Sequence, residues 1–215
     1  SGPWQLAAGA PEARPKSRRY QEGRQAGMAP KTYSVSMRLG IAHHFGWAIA
    51  VTAAPDHQVV DRRRIRLIAP GMPVAPVHQE AKRLDLAAVA ALVAEVRASA
   101  LRATAASLAG LAASIPMPVV SISLRAWPTD FPGDIETQLR PPYESRADSV
   151  MYRQVLAECA RNLGWTIHLF DASQVEAQVS ELLSSQAQRL LHGPKATLGP
   201  PWTKDHRIAL AAAIL

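Results

Sequence analysis

Three strand-like runs follow one another closely in the first third of the chain, and their spacing constrains the fold more than any other feature. The runs are Tyr33 to Ile41, Gly46 to Ala53 and Val59 to Ile68. Each is rich in the β-branched and apolar residues that favour strands. The connections are short, with His43 and His44 in the first and Pro55 in the second. Short connections suit hairpins, so we expect a three-strand antiparallel meander.

Helical and strand patterns alternate after the meander. The predicted elements are a helix from Leu86 toward Pro116 that can break near Gly110, a strand from Val119 to Leu124, a helix from Ser145 to Leu163, a strand from Trp165 to Phe170, a helix from Asp171 or Ser173 to about Leu191, and a last helix capped by Thr203. Crossover helices deliver parallel strands to a sheet. We therefore expect a single α/β domain over residues 28–215, built on a mixed sheet.

The residues before Met28 differ from the rest of the chain. They are rich in Ala, Gly, Pro, Arg and Gln and lack apolar periodicity, so they cannot bury enough surface to offset the entropy of ordering. We expect residues 1–27 to be a disordered leader that is not part of the natural protein, since Met28 resembles a translation start. The alternative is a basic arm that binds nucleic acid.

Composition excludes several classes of protein. A chain of 215 residues that is 48% hydrophobic can build one substantial core. Its apolar stretches are too short or too charged to span a bilayer, so we expect a cytoplasmic protein without a membrane partner. The sequence has no serine-hydrolase elbow, phosphate-binding loop or dinucleotide fingerprint, which disfavours the enzymes that depend on them. The oligomeric state stays open.

Two short segments resemble the ribonuclease H-like superfamily, and more narrowly its branch of bacterial Holliday-junction resolvases. The segments are Gly40-Ile41-Ala42-His43-His44, which resembles the end of the family's first strand, and Asp205-His206-Arg207-Ile208-Ala209-Leu210-Ala211, which resembles its last helix. The order of elements agrees over most of residues 33–215. The resemblance implies a ribonuclease H-like mixed sheet and a hydrolase that acts on phosphodiesters with divalent metal.

One position departs from the family pattern. The metal-binding Asp that the family carries on its first strand falls on Ala42, and the predicted strand from Val119 to Leu124 has no carboxylate where the family places a second acid. Two-metal cleavage needs several carboxylates around hard cations. Only Asp205 matches by position, so the resemblance implies a degenerate site.

Candidate site residues are predicted where ligands gather in sheets with crossovers, at the carboxyl ends of strands. The candidate catalytic residues are Asp205, His43, His44 and Asp130, and the candidate ligands of a divalent cation of unknown identity are Asp205, Asp171 and His44. Each has a structural alternative. Asp171 can cap a helix, neighbouring histidines of a strand point apart, and Asp205 suits the first turn of a helix.

The densest run of charge is a candidate nucleic-acid-binding patch. It comprises Arg62, Arg63, Arg64 and Arg66, which can track phosphates if they lie together. The alternative is a solvated edge strand whose charges block aggregation. No aromatic residue interleaves the run, so we do not expect it to stack on single-stranded nucleic acid.

Three hypotheses for the function follow. The first is a metal-dependent hydrolase of phosphodiesters. The second is a metal-assisted hydrolase of a small ester or lactone, for which the aromatic and charged loop from Arg125 to Glu144 offers a candidate pocket. The third is a non-catalytic module for nucleic-acid binding or scaffolding. Convergence of Asp205, Asp171 and a histidine would favour the first two.

Overall fold

The structure, a computed structural model, describes residues 36–215. The predicted leader, residues 1–27, and the start of the predicted first strand lie outside the described residues. Strands and helices follow the predicted order over the part that is described. In that part we find no helix with the length and apolar character needed to cross a bilayer.

Five strands form one mixed sheet in the order β3-β2-β1-β4-β5. The strands are β1 (Met37–His44), β2 (Trp47–Ala53), β3 (Val59–Arg66), β4 (Val119–Arg125) and β5 (Thr166–Phe170). β2 runs antiparallel to β1 and β3, while β4 pairs parallel with β1 and β5. The predicted fold class, an α/β mixed sheet with a three-strand antiparallel meander followed by parallel strands, is confirmed. The carboxyl ends of β1, β4 and β5 therefore share one end of the sheet, which we call the carboxyl edge.

Helices cover both faces of the sheet. The helices are α1 (Leu86–Ser114), α2 (Ile135–Gln138), α3 (Glu144–Asn162), α4 (Val175–Leu183), α5 (Ala187–His192), α6 (Pro194–Leu198) and α7 (Lys204–Ile214). Buried side chains of α1 and α3 join one apolar cluster, and those of α4, α5 and α7 join a second. Each face of a sheet must bury its apolar side chains against another layer. The sheet thus lies between two helical layers.

The last helix packs directly on the first strand at Gly40. A Cβ atom at this position would lie 1.8 Å from the carbonyl oxygen of Ala209 and 2.9 Å from the backbone nitrogen of Ala213. No residue with a side chain fits so close an approach of two backbones. Gly40 therefore fixes α7 against β1 and brings Asp205, at the start of α7, to the carboxyl edge.

Three details differ from the sequence predictions. α1 continues through the exposed Gly110, around which a Cβ atom would meet nothing, so the predicted break is absent. The helix predicted to reach Leu191 ends at Leu183, because Ser184 adopts a left-handed φ of 47°. The loop from Arg125 to Glu144 contains the short helix α2, whose first turn is capped by Asp134.

Candidate nucleic-acid interface

His43 and His44 are the last two residues of β1, where they pair with Ala48 and Trp47. Their predicted place in a turn is wrong, because the strand continues past Ile41 and the turn begins only at Phe45. Successive side chains of a strand point to opposite faces. His43 therefore contacts α3 and His44 contacts α7, and the two imidazoles cannot share one ion.

The structure brings together one pair of the predicted site residues, His44 and Asp205. Nε2 of His44 lies 3.0 Å from Oδ2 of Asp205, and Nε2 donates because an ionised carboxylate can only accept. The imidazole also stacks on the indole of Trp47, with ring centroids 4.1 Å apart. These contacts fix an imidazole and a carboxylate at the carboxyl edge.

The other predicted ligands do not join this pair. Oδ1 of Asp171 accepts hydrogen bonds from the backbone nitrogen and the hydroxyl of Ser173, and these bonds hold the pKa of Asp171 below its usual value. Asp130 lies exposed in the loop after β4. Within residues 36–215, no three acidic, imidazole or thiol groups come together as metal ligands.

A divalent cation does not fit the donors that these residues supply. Ala42 is buried in the apolar cluster beneath α7, and β4 contains no carboxylate. His44 and Asp205 offer two donors, whereas hard cations at phosphodiester sites are held by several oxygens. These two donors alone do not make a site for such a cation.

His43 belongs to a partly buried hydrogen-bonded group on the other face of the sheet. Its Nε2 lies 3.2 Å from Oγ of Ser149, and Arg153 donates to the same oxygen at 3.0 Å. Burial, then the positive charges of Arg153 and Arg125, lowers the pKa of His43 to about 3. The imidazole is neutral at physiological pH, and its Nε2 shares a hydrogen bond with the hydroxyl of Ser149.

Three arginines lie near the carboxyl edge, and sequence reasoning missed them as a site: Arg125 ends β4, and Arg146 and Arg153 belong to α3, where Arg153 donates to the carbonyl of Ala126. We call Arg125, Arg146 and Arg153 the arginine cluster. Burial and the charges of Arg125 and Arg146 lower the pKa of Arg153 to about 10, so it stays charged at neutral pH. Arg153 is buried and donates to the carbonyls of Ala126 and Ser149.

The other two members of the arginine cluster face solvent. Arg125 and Arg146 are exposed and enter no ion pair within the described part of the chain. Their guanidinium groups keep the planar donor geometry that binds phosphate or carboxylate. The sequence did hold a signal: Arg125 is the last residue of a largely buried strand, and Arg146 and Arg153 lie about two helical turns apart on one helix.

The predicted arginine run on β3 divides into structural and exposed members. Arg62 donates to the carbonyls of Leu198 and Gly199 at 2.7 and 3.0 Å, and Arg63 forms a bidentate pair with Asp61. Arg64 and Arg66 are exposed. Two of the four are thus bound to the protein itself.

An aromatic ring does accompany the run, contrary to expectation. The guanidinium carbon of Arg64 lies 4.1 Å from the centroid of the Trp47 ring. Trp47 comes from the neighbouring strand β2, so it does not interleave the arginines along the sequence. The pairing of β2 with β3 therefore places an aromatic ring beside an arginine of the run.

Comparisons with known proteins give two distant structural likenesses. One is a structure described as T. thermophilus RuvC in complex with Holliday junction substrate, with 10% identity, coverage of 83% of this chain and 90% of that chain, and a TM-score of 0.49. The other is a Thermus thermophilus RuvC structure, with 10% identity, coverage of 83% and 91%, and a TM-score of 0.41. No protein-family model and no curated protein matches the sequence. The fold class follows from the strand order of this chain's own sheet and does not depend on these two likenesses.

Proposed function

We propose that this domain is a nucleic-acid-binding module that holds a sugar–phosphate backbone at the carboxyl edge without cleaving it. One observation carries the proposal. Arg125 ends β4, Arg153 of α3 donates to the carbonyl of the next residue, Ala126, and Arg146 lies about two turns earlier on α3. Ala42 occupies the position at which the resemblance implies a metal-binding acid. The edge attracts anions through guanidinium groups of the protein instead of through bound cations.

The exposed members of the cluster suit phosphate oxygens. Arg125 and Arg146 present several N–H donors each, and charge-assisted bonds from such donors to phosphate are stronger than neutral ones. The N–H groups of Arg153 donate to Ser149 and Ala126, so Arg153 contributes its positive charge to the site and not a direct contact with the ligand. A phosphate bound here compensates the mutual repulsion of the three cations.

A polymer fits the surface better than a single phosphate does. Arg64 and Arg66 add two exposed cations on β3, which pairs with β2 and is separated by it from the strand of His44. Positive groups that are spread along one edge match the repeated charge of a nucleic-acid backbone. The domain as a whole is modestly basic, because residues 36–215 hold 18 Lys and Arg against 15 Asp and Glu.

A hydrolase of phosphodiesters is the second candidate, and the His44–Asp205 pair favours it. An imidazole held by a carboxylate is a familiar arrangement for removing a proton from water. It lacks the further carboxylates that would hold cations, so we rank it below the module. The ester or lactone alternative gains no support, because His43, the histidine bonded to Ser149, is partly buried and its pKa is strongly lowered.

The test compares binding and cleavage in the full chain. Labelled duplex, branched DNA and RNA are titrated with the wild type, with the double variant Arg125→Ala/Arg146→Ala, and with Arg102→Ala/Arg161→Ala, which removes two exposed arginines elsewhere. The module predicts at least about tenfold weaker binding in the first variant and unchanged binding in the second.

Cleavage assays in Mg²⁺ and Mn²⁺ separate the two candidates. The module predicts intact substrates with the wild type. Cleavage that disappears in Asp205→Ala would establish the hydrolase instead. Equal binding by the wild type and the Arg125→Ala/Arg146→Ala variant would refute the module.

A further inference from the structure

A cleft of about 580 Å³ lies beside the β1–β2 turn. The end of β3 forms one part of its wall, and residues 68–74, which follow β3, form another. We call it the β1–β3 cleft. Its walls are mainly apolar or aromatic, from Phe45, Trp47, Ile68, Met72 and Val74, and Arg64 and Arg66 also line it. Its volume lies within the usual range of small-molecule sites.

The backbone holds the shape of the cleft. Gly46 has a φ of +77°, and a Cβ atom there would lie 2.9 Å from Cγ1 of Val74. The carbonyl of Gly46 accepts from the backbone nitrogen of Leu67, and the carbonyl of Val74 accepts from the hydroxyl of Tyr152 at 3.0 Å. Both walls are thus tied to the core, so a ligand meets a preformed surface.

The charge of the cleft selects a negatively charged ligand. Among residues 36–215, no acidic side chain lines it, whereas both of its charged residues are arginines. Arg64 is held over one side of the Trp47 indole, 4.1 Å from its centroid, and His44 stacks on the same indole from the neighbouring strand. This stack orients the exposed guanidinium before any ligand arrives.

We propose that the β1–β3 cleft receives an unpaired base of a bound nucleic acid, with Arg64 and Arg66 contacting the adjoining phosphates. The inference rests on the proposed function and names its substrate class, a single strand or an unpaired region. A base has flat apolar faces that stack on aromatic side chains and on arginine planes. Bases within a duplex are stacked on each other and cannot enter.

The position of the cleft fits a backbone that runs along the arginine cluster. Phe45 and Trp47 line the cleft, and the ring of Phe45 lies against Tyr152 of α3, with centroids 6.5 Å apart. Arg153 is the next residue of α3 and donates to the carbonyl of Ala126, beside Arg125. A strand bound at the cluster therefore passes the mouth of the cleft. An apolar segment of a protein would leave Arg64 and Arg66 without a counter-charge, so a nucleotide is the better occupant.

The test uses three labelled probes of equal length: a single-stranded DNA, the same strand with abasic sites throughout, and the matching duplex. Fluorescence anisotropy measures their affinities for the full chain and for Phe45→Ala, Arg64→Ala and Val60→Ala. Val60 is an exposed residue of β3 that does not line the cleft, so it serves as the control. Circular dichroism establishes that each variant is folded.

We expect the base-containing strand to bind about tenfold more tightly than the abasic strand. Phe45→Ala should remove this preference and leave abasic and duplex affinities unchanged. Arg64→Ala should weaken the base-containing strand most, and Val60→Ala should change nothing.

Two other outcomes separate the inference from the proposed function. Equal binding of base-containing and abasic strands, unaffected by Phe45→Ala but weakened by Arg125→Ala, would overturn the cleft inference and leave the proposed function intact. Failure of Arg125→Ala/Arg146→Ala to weaken any probe would overturn the proposed function and the cleft inference together.

Discussion

Nε2 of His44, at the end of the first strand, donates to Oδ2 of Asp205, in the first turn of the last helix, across 3.0 Å. The two residues lie 161 positions apart in the sequence. Their contact depends on Gly40, because the absence of a side chain there lets α7 rest on β1. The pair therefore links the first strand of the domain to its last helix.

Asp205→Asn should change stability little. The side chains of His44 and Asp205 are 43% and 32% exposed, and exposed ion pairs contribute about 0–1 kcal/mol. We expect the free energy of unfolding in urea to fall by less than about 1 kcal/mol. Glu181→Gln, on the exposed surface of α4, is the control. A loss above about 3 kcal/mol would show that the pair is far more strongly coupled to the fold than its exposure implies.

Gly40→Ala should destabilise the domain severely. The new methyl group would overlap the carbonyl oxygen of Ala209, and α7 must move away from β1 to admit it. We expect a loss of at least about 3 kcal/mol, or no folded protein. The matched control is Gly110→Ala, in the open middle of α1, which should gain about 0.5–1 kcal/mol. Equal stabilities of the two variants would contradict this packing.

Stability should decline as the pH falls below about 6.5, and His43 should be the main cause. Its pKa is about 3 in the folded protein and 6.5 in the unfolded chain. Between these values only the unfolded state binds the proton, so acidification favours unfolding, by up to about 1.4 kcal/mol per pH unit. The contribution of His43 is fully present above pH 6.5.

Urea unfolding between pH 7 and pH 4 measures this dependence. His43→Gln should flatten the slope, whereas lowered pKa values of His57 and His206 leave a smaller slope of the same sign. Identical slopes in the wild type and His43→Gln would show that His43 titrates normally and is not buried as described.

Arg62→Ala should destabilise the protein, whereas Arg66→Ala should not. Arg62 donates to the carbonyls of Leu198 and Gly199, in the segment before α7, and removing it leaves these acceptors without partners. We expect a loss of about 1–3 kcal/mol in chemical denaturation. Arg66 is exposed, so its removal should stay within about 0.5 kcal/mol. Equal losses would contradict this division of the arginine run.

The fold was largely predictable because its signals are local. Apolar periodicity and short connections identified the meander, and alternation of helix and strand identified the crossovers. The error at His43 and His44 arose because imidazoles suit a turn as well as a strand end. The break after Leu183 depends on one left-handed residue, Ser184, whose residue type carries no signal for it.

The site was less predictable because its contacts are not local. His44 and Asp205 were both among the predicted site residues, and the structure brings them together. Asp171 is bonded to Ser173 in the turn before α4, whereas the N-cap of α4 is Gln174 without a side-chain cap, so the capping alternative was wrong. The arginine cluster takes Arg125 from β4 and two members from α3, so only the pairing of elements reveals it. Likewise, Trp47 reaches Arg64 through strand register alone.

The salt dependence of nucleic-acid binding tests the central claim most directly. Each phosphate contact contributes about 0.7–0.9 to the slope of log K against log salt concentration. We predict that Arg125→Ala/Arg146→Ala lowers the magnitude of this slope by about 1.5–2 relative to the wild type. Arg102→Ala/Arg161→Ala, measured in the same full chain, should leave it unchanged. Identical slopes and affinities for the wild type and Arg125→Ala/Arg146→Ala would contradict a phosphate-binding carboxyl edge.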